Sequence, residues 1–228
     1  MRKFLVALVI LVVVLVALDR AGLYIAQREI STRVKSAYDL SERPGVSIKG
    51  FPFLTQVASG HYQRIDVTIR SDRTDGVQLQ NIDAIFTGVH ASLSLLLGQD
   101  AGSVTASRAT GSALVPYSQV RSRLPHGVTI APDGSVLNVA GTVSYGPVHG
   151  TVSGTVRLGV SSGGITVTPQ RVSIDGKPLT LAGALASQFT FTIPVGTLPL
   201  HLRVTGVQVT SGGVLIDATA RNVAFATA

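Results

Sequence analysis

From Val46 onward, the sequence alternates between apolar and polar residues with a period of two. Residues 64–70, 151–160 and 198–205 show the alternation most clearly, and each run is typical of a half-buried strand. Turn sequences rich in glycine, proline and aspartate separate the runs at short intervals. Such closely spaced turns favour antiparallel hairpins over parallel strand–helix–strand units. The sequence therefore predicts an α+β fold that is mostly β.

The segment Leu23–Tyr38 has apolar residues at every third or fourth position and is predicted to be a helix. It can pack on the domain core, which is the favoured placement, or lie on a membrane surface. A shorter helix is predicted over Pro116–Leu124, because proline suits the first helical turn. Since no linker interrupts the strands, we expect one sheet system. We predict a strongly curved antiparallel sheet wrapped on an N-terminal helix, because one helix cannot cover a flat sheet.

The N-terminus carries an unbroken apolar run, Phe4–Leu18, directly after Arg2 and Lys3. As a helix, this run spans about 22 Å, which is less than the roughly 30 Å hydrocarbon core of a bilayer. Two interpretations are open: an uncleaved signal anchor, or a signal peptide that is removed. The anchor is favoured, because the run is not followed by a clear small-x-small cleavage site. We predict a membrane segment over 1–22 and a single exported domain over 23–228, on the periplasmic side of the cytoplasmic membrane.

Composition excludes several classes of protein. The chain has no cysteine, so disulfide scaffolds, zinc ribbons and cysteine nucleophiles are excluded. The net charge of +7 is a modest surplus that suits a phosphate-rich membrane surface better than a nucleic acid. The five histidines are scattered, and Gly159–Gly163 matches G-x-S-x-G but joins two predicted strands, unlike a nucleophile elbow. We therefore predict no catalytic residues, no metal, no cofactor and no nucleic-acid partner.

The least ordinary local sequence is Gly50–Gln56 (GFPFLTQ), which Gly60 follows. Because Pro52 cannot donate to a β-ladder, this segment is predicted at a sheet edge or bulge. In such an extended segment, Phe51 and Phe53 point to one face. They then either close one end of the sheet core or form a hydrophobic lip at the mouth of an apolar cavity.

This segment, together with Val46, Ile48, Gly60 and Tyr62, resembles the LmeA-like phospholipid-binding proteins of actinobacterial envelopes. The C-terminal part is similar to the family through Phe189-x-Phe191, Leu198-Pro199-Leu200 and Ala220-x-Asn222-Val223. The resemblance implies phospholipid binding in the cell envelope and a link to growth of lipomannan-type lipoglycan. The predicted curved sheet on a helix also resembles the tubular lipid-binding (TULIP-like) architecture. No site residues are carried over from the family.

The candidate site follows from what a lipid carrier needs: an apolar groove for acyl chains and a basic rim for the phosphate. Candidates for the hydrophobic lip and groove are Phe51, Phe53, Leu54, Ile30, Val34, Phe189 and Phe191. Candidates for headgroup contacts are Lys49, Arg64, Arg121 and Arg123. The expected partners are a membrane, a phospholipid (a phosphoinositide or a polyprenyl-linked lipid among the options) and envelope enzymes.

Two other functions remain open from sequence alone. The first is a structural or adaptor domain of the envelope with a filled core and no ligand. The second is a hydrolase or transferase that acts on envelope lipids, with catalytic groups brought together from distant strands. The lipid's identity, the oligomeric state, and the choice between transport, sensing and presentation to an enzyme are not fixed by the sequence.

Overall fold

The computed structural model describes residues 2–74, 77–91, 104–122, 124, 127–145, 148–162, 164–179, 190–194 and 198–225. The helices are α1 (Arg2–Ala37), α2 (Phe53–Ser59) and α3 (Tyr117–Arg121), with a 3-10 turn over Pro199–His201. The strands are β1 (Gly45–Lys49), β2 (His61–Thr74), β3 (Val77–His90), β4 (Val104–Pro116), β5 (Thr129–Asp133), β6 (Val136–Tyr145), β7 (Val148–Ser161), β8 (Gly164–Ile174), β9 (Lys177–Leu179), β10 (Phe191–Pro194), β11 (Arg203–Val209) and β12 (Gly213–Phe225). The prediction of a mostly β chain with an N-terminal helix is confirmed.

The strands form two six-stranded sheets, and not the one sheet system that we expected from the sequence. The first sheet has the order β1-β2-β3-β4-β12-β11. The second has the order β10-β8-β7-β6-β5, and β9 pairs with β8. The strand pairs with a defined register are antiparallel, as predicted, and the register shifts between Val204 and Gly206 and between Thr155 and Val156. The continuous alternation of the sequence does not reveal where one sheet ends and the next begins.

The first helix is longer than the segment predicted from periodicity. The apolar run and the amphipathic segment form one continuous helix, Arg2–Ala37, because Asp19–Gly22 contains no proline and the helix continues through Gly22. By length and composition, this helix is able to cross a membrane, a property that signal sequences share. Large apolar side chains of the run Phe4–Leu18 are exposed, whereas Asp19 directly after the run is buried.

The chain divides into two compact units. Unit 1 consists of Met1–Arg70, Asp83–Gly111 and Ala220–Ala228. Unit 2 consists of Ser71–Ile82 and Ser112–Thr219. Strands β2, β3, β4 and β12 contribute residues to both units, so that neither unit is a continuous stretch of chain.

In unit 1, helix α1 packs against β1 and α2. The Ser31 hydroxyl donates a 2.7 Å hydrogen bond to the carbonyl of Pro44, which holds the chain entering β1 against the helix. The buried apolar residues of this unit are Leu40, Ile48, Phe53, Tyr62, Val89, Ala91, Ala106, Ala109, Ala220 and Val223. Burial of these side chains stabilises the unit by removing apolar surface from water.

One buried cluster in unit 2 consists of Tyr117, Ile130, Leu137 and Val214. Ile165, Val167 and Ala218 of the same unit are also buried. Tyr117 opens α3, and its hydroxyl donates a 2.7 Å hydrogen bond to the carbonyl of Thr210. The short helix predicted over Pro116–Leu124 is therefore present, although it ends at Arg121.

The prediction of a strand over residues 198–205 is only partly correct. Residues Pro199–His201 form a 3-10 turn, and strand β11 begins at Arg203. Leu200 and His201 both have positive φ angles, of 59° and 54°. The left-handed backbone breaks the extended chain even though the apolar–polar alternation continues through it.

The two buried tyrosines allow a matched test of hydrogen bonding. At neutral pH, Tyr117→Phe is expected to cost about 1 kcal/mol, because the carbonyl of Thr210 loses its donor. Tyr62→Phe is expected to be neutral or stabilising, since the Tyr62 hydroxyl is buried without a hydrogen-bond partner among the described residues. Urea unfolding of the two variants measures the difference. Equal losses would show that the Tyr117 hydrogen bond does not stabilise the fold.

The same tyrosines predict how stability changes at alkaline pH. Burial raises the pKa of Tyr62 and of Tyr117 above the ordinary value of 10.0. The unfolded chain then loses these protons at a lower pH than the folded protein does. This contribution to stability is complete below pH 10.0 and is lost as the pH rises through the folded-state pKa. Tyr117→Phe is therefore expected to reduce the alkaline loss of stability.

Candidate functional site

The GFPFLTQ segment folds as a sharp turn followed by a short helix, and not as the predicted edge strand or bulge. Gly50 has a φ angle of 106°, and a Cβ atom at this position would lie 2.7 Å from Nε2 of Gln56. Gln56 is buried, and its Oε1 accepts a 3.0 Å hydrogen bond from the backbone N–H of Gln63. Gly60 ends α2 in the left-handed conformation, with its N–H directed at the carbonyls of Gln56 and Val57. These residues fix the turn.

Phe53 joins the turn to the helix α1. Its side chain is only 3% exposed, and its ring centroid lies 6.4 Å from that of Tyr62. A Cβ atom on Gly22 of α1 would contact the Phe53 ring at 3.7 Å and the Leu54 side chain at 3.6 Å. Helix α1 at Gly22 thus packs directly against the Phe53 and Leu54 side chains.

A carboxylate of α1 caps α2. The Oδ1 atom of Asp19 accepts a 2.8 Å hydrogen bond from the backbone N–H of Leu54, which lies in the first turn of α2. The residue before α2 is Pro52, which offers no side-chain cap. Asp19 is 3% exposed, and its other oxygen lies 3.1 Å from the guanidinium of Arg20. The buried charge therefore has both an ion-pair partner and a backbone donor, as buried carboxylates require.

Phe51 and Phe53 lie in different environments, so the expectation that they share one face is wrong. Phe51 is 61% exposed and Leu54 is 42% exposed, whereas Phe53 is buried. The turn between strand and helix rotates the chain, which the alternation expected of an extended segment does not allow for. The guanidinium of Arg20 lies 4.9 Å from the centre of the Phe51 ring, in a cation–π contact.

The other lip and groove candidates are not all gathered at this turn. Ile30 and Val34 are half-buried residues further along α1. Phe191 begins β10 in unit 2, where its backbone pairs with Val167. Phe189 lies outside the described residues. The structure thus brings together Phe51, Phe53 and Leu54.

Two of the headgroup candidates meet at one carboxylate. Lys49 and Arg64 are cross-strand partners on β1 and β2. Their cationic groups lie 3.9 Å and 2.6 Å from the carboxylate of Asp66. The hydrogen bond that Arg64 donates to Asp66 raises the pKa of Arg64 above its ordinary value. These three exposed or half-exposed groups carry one net positive charge. Arg121 lies at the end of α3 in unit 2, and Arg123 is outside the described residues.

A cavity of about 320 Å³ in unit 1 was not foreseen from the sequence. Its lining comes from three strands: His90, Thr105, Ala106, Ser107, Asn222 and Val223. The ring of His90 packs edge-on against that of His61, with centroids 4.1 Å apart. Its volume is at the lower end of the range for small-molecule sites. The residues come from distant parts of the chain, so no local motif could have indicated it.

Unit 2 contains a group of partly buried apolar side chains. Eight described apolar side chains pack against the four buried core residues but remain only partly buried: Val120, Leu124, Val139, Val156, Leu158, Val207, Val209 and Ile216. No large side chain in the described part of the protein is less than 2% exposed. A close-packed protein core would bury such residues fully. Among the described residues of unit 2, these eight apolar side chains are therefore only partly covered.

The structure also shows the surroundings of the G-x-S-x-G match and of the described His, Asp and Glu side chains. The formal G-x-S-x-G match lies where β7 turns directly into β8, and the Ser161 hydroxyl donates to the carbonyl of Gly164. A nucleophile elbow instead requires a strand that turns into a helix. Among the described residues, no group of three His, Asp or Glu side chains could hold a metal ion.

Comparison with known proteins gives one match. A family model described as LmeA-like phospholipid-binding matches residues 17–219, which includes Asp19, the GFPFLTQ segment and most of both units. The chain matches none of the curated proteins and none of the solved structures. The resemblance to TULIP-like folds thus stays a prediction.

Proposed function

Because the chain belongs to the LmeA-like phospholipid-binding family, we propose that it holds a phospholipid in an apolar groove on the exported side of the membrane. The observation that carries this proposal is the partly buried apolar surface of unit 2. An acyl chain that covers these side chains would gain about 0.8 kcal/mol for each CH₂ group removed from water. We propose that the bound lipid covers these partly buried side chains.

The headgroup would meet cationic side chains at an exposed rim. At unit 1, we propose Lys49 and Arg64, which already share one carboxylate, as ligands for phosphate groups of lipids. A phosphate can compete with Asp66 for both cations, because guanidinium and ammonium groups bind either anion. Arg121 and Arg123 remain further candidates at unit 2.

The proposed location follows from α1. We propose that the helix remains uncleaved as a signal anchor, since Asp19 directly after the apolar run is part of the folded structure. From that position the protein would present its lipid, for instance a phosphoinositide or a polyprenyl-linked precursor, to envelope enzymes of lipomannan-type lipoglycan assembly. Binding and presentation need no reaction at the protein, and we propose a non-enzymatic role.

The test is native mass spectrometry of the full chain, purified in mild detergent from its natural host, combined with lipid extraction. We expect one phospholipid for each chain, and the intact mass should include residues 1–22. A lipid-free mass, with no uptake from mixed phospholipid vesicles, would contradict the proposal and favour an adaptor with a filled core. A lipid-bound chain that lacks residues 1–22 would contradict only the anchor.

A filling substitution tests the place of the acyl chain. Val207 packs against the unit 2 core while its neighbour Gln208 is exposed on the other face of β11. We expect Val207→Phe to reduce the co-purified phospholipid several-fold with little change in stability, and Gln208→Phe to leave lipid content unchanged. If unit 2 is instead closely packed, Val207→Phe would destabilise it by about 1–3 kcal/mol. Lipid analysis and thermal unfolding of both variants distinguish the two outcomes.

A further inference from the structure

No linker separates the apolar run of α1 from the folded part of unit 1. The large apolar side chains of Phe4–Leu18 are 40% exposed or more, as expected of a segment that lipid surrounds. Asp19 follows at once and is buried against α2. Because one rigid helix carries both parts, the end of the apolar run fixes the height of unit 1 above the bilayer.

The GFPFLTQ turn contacts α1 at that same height. Asp19 caps α2, Arg20 lies over the Phe51 ring, and the Leu54 side chain packs against Gly22. From Asp19 to Gly22 the helix rises only about 4.5 Å. The turn is therefore held within one helical turn of the point where the apolar run ends.

The side chains that the turn leaves exposed suit a membrane interface. Phe51 and Leu54 are 61% and 42% exposed, and Tyr24 and Ile25 in the next turn of α1 are also exposed. Tyrosine and tryptophan concentrate at the boundary between hydrocarbon and headgroups, and phenylalanine and leucine form the apolar face of segments that insert there. Arg20 is half-exposed beside Phe51 and can reach lipid phosphates with its free N–H groups.

We propose that the Phe51–Leu54 turn is a bilayer-docking element, which inserts Phe51 and Leu54 into the interfacial layer of the leaflet that faces unit 1. The occupant of this exposed apolar surface is thus a lipid surface, because the turn is continuous with the apolar run of α1. Docking fixes unit 1 on the membrane. This inference goes beyond the proposed lipid binding and does not depend on it, although it requires that α1 is retained.

The absence of tryptophan from the chain makes a direct test possible. The full-length variants Phe51→Trp and Tyr38→Trp each contain a single tryptophan and can be reconstituted into phosphatidylcholine–phosphatidylglycerol vesicles. Tyr38 is the matched control, since it is 58% exposed and directly follows Ala37, the last residue of α1, which lies about 27 Å along the helix from Asp19. Phospholipids brominated near the headgroup should quench most of the Phe51→Trp emission, which should also be blue-shifted. The Tyr38→Trp emission should remain unquenched, with the wavelength typical of a tryptophan exposed to water.

Other outcomes would overturn the inference. Unquenched, water-like emission from Phe51→Trp would show that the turn does not enter the bilayer and favour a protein partner or a second copy as its occupant. Equal quenching of both variants would show that unit 1 is not held at the proposed height. Intact mass and circular dichroism verify that α1 is present and that both variants fold. Lipid content measured on the same samples reports separately on the proposed function.

Discussion

Replacing Phe53 by alanine is expected to lower the free energy of unfolding by about 3–5 kcal/mol. The side chain is 3% exposed and contacts both α1 at Gly22 and the ring of Tyr62. Its loss leaves a cavity at the place where α2 joins the helix. Denaturant unfolding of the full chain in detergent, followed by circular dichroism, measures the change. A loss this large is a substantial part of the stability of an ordinary domain.

The matched variant is Phe51→Ala, two residues earlier in the same motif. Phe51 is 61% exposed and its described aromatic contact is the cation–π pair with Arg20, so we expect a loss below about 1 kcal/mol. The two alanine variants should therefore differ clearly in their free energy of unfolding, because Phe53 stabilises the fold and Phe51 lies at the surface. Equal effects on stability would contradict this division.

Asp19→Ala is expected to cost about 1–3 kcal/mol, because it leaves the N–H of Leu54 without its acceptor. Amide hydrogen exchange at Leu54 should accelerate in the same variant. Asp19→Asn keeps an oxygen that can accept this bond and should cost less.

A second ion pair on α1 provides the control for Asp19. Glu29 pairs with Arg33 at 3.0 Å, but both side chains are about half exposed. Such helix pairs contribute about 0.3–0.5 kcal/mol, so Glu29→Ala should have little effect. If Asp19→Ala is no more harmful than Glu29→Ala, the carboxylate does not hold α2 on α1.

The contrast between Phe51 and Phe53 shows what the sequence could and could not predict. GFPFLTQ was identifiable as unusual, because glycine, proline and two phenylalanines rarely occur so close together by chance in an ordinary strand. Its conformation was not predictable, since it depends on the close approach of Gly50 to Gln56 and of Gly22 to Phe53. Gly22 and Phe53 lie far apart in the sequence, so no local pattern connects them.

The same reasoning applies to charge. In the sequence, Asp19 directly follows the apolar run. No residue near it in the sequence indicates its hydrogen bond to Leu54, 35 residues later. Lys49 and Arg64 were selected as cations near the motif, but their common partner Asp66 became visible only once β1 and β2 were in register. Periodicity predicts strands well because it reports local burial. It does not report which strands become neighbours.

The way unit 1 is assembled also sets an order of events during synthesis of the chain. Val223, one of its buried residues, is separated by the whole of residues 112–219 from the rest of that unit. As the chain is made from its N-terminus, Phe53 and Tyr62 are available for folding early and Val223 late. The first part of the protein to emerge is thus the last to be completed, and its apolar residues need protection in the interval. Incomplete units of this kind are prone to aggregate.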